Sequence, residues 1–225
     1  MLHKTASILC IVAAGAALGA GFSNRIHGDN PCPAVTIARS PTPVPQPCGF
    51  YCGVERWQVK TLSDRDARLV SLTPVATTVE SLATLSTPRY RPSYGRVGST
   101  ETTIFCVEGW LLDVTTEGDG DLHVIVGGLE DTTVSMIVEI PDARCSGACA
   151  SGFAELYARA REALENRLKI WTTDTLRLRI MGVGFFDRPH GQYGAAPNYI
   201  ELHPVLEIDF PASADDQDTK PDTTT

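Results

Sequence analysis

Three stretches of alternating apolar residues, one stretch of helical period, then two more alternating stretches constrain this chain more than any other feature. Thr103–Val114 is rich in β-branched and aromatic residues, with Phe105, Val107 and Leu111 on one alternating face. The Gly/Asp-rich stretch Glu117–Asp121 is of the kind that reverses a chain. Leu122, Val124 and Val126 then alternate with His123 and Ile125 in a second strand. Past Gly127 and Gly128, Val134, Met136, Val138 and Ile140 alternate with Ser135, Ile137 and Glu139 until Pro141 ends a third. Ser151 is placed to cap a helix whose apolar positions are Phe153, Leu156, Ala160, Leu164 and Leu168. A fourth strand spans Leu176–Phe186 and a fifth Tyr199–Phe210.

This order predicts a mainly β domain with one main helix, an OB-like five-stranded barrel in which the helix joins the third and fourth strands. An α+β sheet with a single helix on it is the competing architecture. Closure explains why both faces of several strands carry apolar residues, and it leaves no exposed edge. Ahead of the barrel, 54–88 predicts a short strand at Trp57–Thr61 and two short helices. One is capped by Ser63 with Asp66 three residues on, and the other lies near Val79, Leu82 and Leu85. The segment reads as an N-terminal cover for the barrel.

The ends are of different composition. Residues 1–21, with Lys4 ahead of a small-residue apolar run, have the form of a signal peptide, and bulky Leu9 before Cys10 does not suit lipoprotein processing. Residues 22–47 are a Pro-rich linker, 48–211 a single domain and 212–225 an acidic disordered tail. No later apolar stretch is long enough to span a bilayer, so the expectation is an exported protein, periplasmic or extracellular, with no transmembrane span after signal cleavage. The chain has 27 acidic against 19 basic residues, which disfavours nucleic acid as a partner.

Six cysteines follow the N-terminal run: Cys32, Cys48, Cys52, Cys106, Cys145 and Cys149. An even number in an exported chain predicts disulfides, and the missing two-residue spacings argue against zinc held by cysteines. The spacing suggests local bridges, Cys145–Cys149 across Gly147 and Cys48–Cys52, leaving Cys32 and Cys106 to pair or stay free.

The densest polar set is Asp187, His190 and Gln192 after the fourth strand, then Asn198, Glu201 and His203 opening the fifth. Glu201 and His203 are two apart and share a face, OB strand order brings Glu139 alongside, and His123 on the second strand is a further candidate. Carboxylates with imidazoles are what a divalent metal or an acid–base pair requires. The reading favoured over both is that these residues pin the loop before the fifth strand through backbone hydrogen bonds. His203 is expected outside the barrel interior, with its pKa raised by the carboxylates. No cofactor is predicted, a divalent metal being the one such group these residue types admit. No nucleophile elbow or phosphate loop is present.

The run GVGFFDRPHGQYGAAPNYIELHPVLEIDF (182–210) resembles the C-terminal signature of exported bacterial proteins of uncharacterised function. The resemblance extends to ERWQVKTLSDRDA (55–67), DGDLHVIV (119–126) and Glu139–Pro141. It implies an exported OB-like domain and no particular reaction. The first three strands are more loosely similar to periplasmic OB-fold domains regarded as ligand-binding modules. The expected function is a binding or structural module of the envelope or secretome, its ligand or partner unknown. A metal-dependent hydrolase, a nuclease among its forms, is the alternative.

Overall fold

In a computed structural model of the chain, residues 32–35, 48–49, 52–171 and 175–211 are described. The stretches read as a signal peptide and an acidic tail, and most of the Pro-rich stretch, lie outside the described residues. The elements in chain order are α1 (Trp57–Lys60), a 3₁₀ turn (Arg65–Leu69), β1 (Ser71–Ala76), α2 (Val79–Ala83) and a second 3₁₀ turn (Thr100–Thr102). There follow β2 (Thr103–Thr116), β3 (Leu122–Gly128), β4 (Ser135–Ile140), α3 (Ala154–Ile170), β5 (Arg177–Phe186) and β6 (Ile200–Asp209).

The five expected strands are β2 to β6, and they close on themselves. Antiparallel pairs join β2 to β3 and β3 to β4; β4 runs parallel to β6; β6 pairs antiparallel with β5, and β5 returns to β2. The result is a closed, mixed, OB-like barrel with one main helix. Residues opposite each other on paired strands share a face, so the register divides inside from outside. Leu122 and Ile140, Val124 and Val138, Val126 and Met136, and Ile180 and Ile208 face each other across ladders and fill the interior. The alternate residues point outward: His123 opposite Glu139, Ile125 opposite Ile137, and Phe185 opposite Glu201.

Both ends of β3 meet helices. At its Gly128 end sits α2, so close that a side chain on Gly128 would run into the Glu80 carboxylate. At the other end Arg161 of α3 donates to the Gly120 carbonyl at 2.8 Å. A side chain on Gly182 would meet Leu202 and the Pro204 carbonyl, and the β5–β6 register shifts there. Val205 faces Gly182 and joins the core, although simple alternation along the strand places it outside with His203.

Several local expectations are corrected. Trp57–Lys60 is a helical turn, not a strand: the Lys60 and Thr61 amides bond back to the Arg56 and Trp57 carbonyls, and Trp57 and Val59 are both buried. Asp64, not Ser63, caps the following turn by accepting from the Asp66 amide at 3.1 Å. Ser151 caps nothing at the N-cap of α3, which is Phe153; its hydroxyl accepts from the Phe153 amide and donates to the Leu62 carbonyl. An unforeseen strand, β1, runs parallel to the start of β2, mostly exposed and carrying Pro74 as edge strands tolerate.

The disulfides also depart from the spacing argument. Cys48 bonds to Cys149 and Cys52 to Cys145, with Cα separations of 5.8 and 5.6 Å, while Cys32 bonds to Cys106. Neither local bridge forms. The Cys145–Cys149 turn is already closed by the Cys149 amide bonding the Cys145 carbonyl at 2.9 Å, and its two sulfurs reach across to the Cys48–Cys52 segment. Three disulfides point to an oxidising, extracytoplasmic environment. Among the described residues no helix is long and apolar enough to cross a membrane.

Candidate functional site

On one side of the barrel, the outward faces of β3, β4 and β6 are buried under other parts of the chain. The loop after β5 lies over Ile125 with Gly194 at φ 81°, where a side chain would clash with that isoleucine. Further along, α1 brings Arg56 and Lys60 over the outward ring of Phe185, at 4.6 and 5.3 Å from its centre. Arg56 is fixed by Glu101, whose two oxygens accept from it at 3.0 and 2.5 Å and also from the Val97 and Phe186 amides. Both members of this pair are buried, so the cover is bolted to the barrel by an ion pair in which both Glu101 oxygens and both terminal Arg56 nitrogens are bonded.

Beneath that cover the candidate residues separate into three groups. His123, Glu139, Glu201 and His203 share the buried outer face, as strand alternation predicts, and His203 is indeed outside the interior. His123 Nδ1 lies 3.0 Å from one Glu139 oxygen, and His203 Nδ1 lies 2.6 Å from the other. Asp187 and His190 form a pair at 3.3 Å near the surface, with Asp187 buried and His190 exposed. Gln192 is half-buried in the same loop. Asn198 is a lock: its amide donates to the Leu82 and Leu85 carbonyls at 2.8 and 2.9 Å, and its oxygen accepts from the Ile200 amide.

Two members of the cluster escaped the sequence reading. Asp121, which its Gly/Asp-rich setting marks as a turn residue, lies two before His123 and directs Oδ2 to 3.5 Å from His203 Nε2. Its Oδ1 accepts from the Asp142 amide at 3.0 Å. Lys60 reaches Glu139 at 3.7 Å from α1. Strand alternation between Asp121 and His123 was the available signal for the first; nothing in a four-residue helix announces the second.

Burial opposes every charge in this cluster. It pushes Asp121 up and, with the Glu139 and Asp187 charges, holds Glu201 well above the ordinary carboxylate range. For Glu139, burial is outweighed by His203, His123 and Lys60, which hold it well below that range. Burial would lower His203, but the Glu139 charge and then Asp121 prevail over it and over Lys60, raising it as the sequence predicts. Lys60 is likewise shifted up, its surrounding carboxylates outweighing burial.

Lys60 and Asp187 also line a surface cleft of about 350 Å³ together with Trp57, Asp119, Arg188 and His190. Its charges are largely matched within the chain: Arg188 pairs with Glu55 at 2.5 Å and His190 with Asp187. No protein-family model matches the chain, and no curated protein is significantly similar to it.

Proposed function

We propose that this chain is an exported OB-like binding module of the bacterial envelope or secretome, taking a small polar ligand in the cleft beside Lys60 and Asp187. The observation that carries this reading is the cleft itself, whose walls include Lys60, 3.7 Å from Glu139 of the buried cluster, and Asp187, whose charge acts on Glu201. The disulfides support export, as do the signal-like N-terminus and the resemblance of 182–210 to exported bacterial proteins. Because most of the cleft's cations already have acidic partners, it suits a neutral or zwitterionic ligand better than a polyanion. Titration of isotope-labelled protein with free amino acids and N-acetylated hexosamines tests this. Saturable shifts of the Trp57 indole and the Asp187–His190 amides are expected from one of these classes. Their absence with both classes, or their persistence in Lys60→Met with Asp187→Asn, overturns it.

A metal-dependent hydrolase is the second reading, favoured by the convergence of Asp121, Glu139 and His203. Catalytic zinc centres use three protein donors but keep a position open to substrate. Here the His203 side chain has no exposed surface. The acidic excess also disfavours a nucleic-acid substrate. The purified chain is therefore expected to leave DNA and RNA uncut with zinc, manganese or magnesium. Cleavage that disappears in His203→Ala would put the hydrolase in place of the binding module.

A further inference from the structure

Three elements that are distant in sequence deliver the donors of one small buried space. Asp121 comes from the β2–β3 turn, Glu139 from β4 and His203 from β6, and one donor atom of each lies within 4.8 Å of the others. All three are buried. Asp121 Oδ2 and both ring nitrogens of His203 have no hydrogen-bond partner; the 2.6 Å approach of Nδ1 to Glu139 is not aligned as a hydrogen bond. Unsatisfied polar atoms this deeply buried are rare and costly, and an ion among them would satisfy Asp121 Oδ2 and one of the two ring nitrogens.

We propose that Asp121, Glu139 and His203 hold a divalent transition-metal cation, with zinc the ion their donor set fits. One imidazole with two carboxylates suits zinc or manganese, whereas calcium and magnesium take oxygen donors. The outer partners that such ligands need are present. Asp121 Oδ1 is held by the Asp142 amide and Glu139 Oε1 by His123, which fixes both carboxylates and turns Asp121 Oδ2 and Glu139 Oε2, the latter also 3.7 Å from Lys60 Nζ, toward His203. The bound ion ties the β2–β3 turn to β4 and β6 from outside the barrel. This inference stands apart from the cleft and its ligand, since none of the three donor residues lines that cleft.

The test uses the full mature chain, stripped with chelator and titrated with zinc alone, then manganese alone, then calcium alone. One zinc per chain is expected by calorimetry and elemental analysis, with a raised melting temperature and no response to calcium. Asp121→Asn should weaken zinc by at least the roughly 10–100-fold that loss of an outer partner costs, while Glu201→Gln, outside the trio, should bind as the parent does. Cobalt substituted for zinc should give a visible absorption band that His203→Gln removes. Should the variants fail to fold, the parent's stoichiometry and cobalt band decide. A folded parent that binds no zinc overturns the proposal, leaving an imidazolium shared between two carboxylates. Zinc bound as tightly by Asp121→Asn, or calcium bound more tightly than zinc, overturns it too.

Discussion

The inside and the covered outer side of this barrel are both buried, yet they are built from different chemistry. The interior ladders carry Val, Ile, Leu and Met in register, and any well-packed apolar set of the same volume would serve. The covered outer face over β3, β4 and β6 carries Asp121, His123, Glu139, Glu201 and His203, closed over by Lys60 and Arg56. Such polar groups stabilise only when every partner is present, so this side depends on particular residues where the interior depends on volume.

That contrast can be broken most forcefully at the bolt on the cover. Glu101→Ala leaves Arg56 buried without its carboxylate, and a loss of about 3–5 kcal/mol is expected in chemical denaturation. A loss under about 1 kcal/mol would mean the cover is not coupled to the barrel's stability. Ile180→Ala, in the interior, should cost about 2–5 kcal/mol, with the ion pairs and disulfides intact in the folded fraction. Asn198→Ala removes two hydrogen bonds that lock the loop before β6 to α2 and the residues just after it, and a third to the Ile200 amide, and about 1–3 kcal/mol should go with them. The same variant should leave zinc binding at the cluster unchanged, which separates lock from site.

The smallest effect is alkaline. Burial holds the Tyr157 phenol above its ordinary value, and its hydroxyl donates to the Thr61 carbonyl at 2.8 Å. The folded chain therefore keeps a proton that the unfolded chain releases above about pH 10. Stability from this group is full below that pH and is lost as pH rises toward the folded value. In Tyr157→Phe the part of the alkaline decline due to this proton should vanish, measured as melting temperature against pH beside the parent; an unchanged slope would place the decline in other groups.

The barrel strands and α3 were legible because each is long enough to show its period, and the order of five strands around one helix admits few closures. Trp57–Lys60 was not, since Trp57 and Val59 alternate as a strand would while the backbone closes a single helical turn. Mostly exposed β1 has no buried face to advertise it. At the site, alternation found His123, Glu139, Glu201 and His203 together, because all lie on regular strands. Asp121 was hidden by its place in a Gly/Asp turn, and Asn198 looked like a ligand until its carbonyl partners on α2 were in view. The disulfides were misread for a related reason: spacing along the chain says nothing of which segments the fold brings together.

Their pairing sets an order of events during synthesis. After Cys10, a ribosome delivers Cys32, Cys48 and Cys52, and every native partner, Cys106, Cys145 and Cys149, arrives at least 74 residues after its mate. Until then the early thiols can meet only one another, and any bond they form is a wrong one. Native oxidation therefore has to follow emergence of β2 for the first bridge and of β3 and β4 for the other two. An oxidant that acts on the nascent chain too soon traps it, and recovery then proceeds at the pace of thiol exchange.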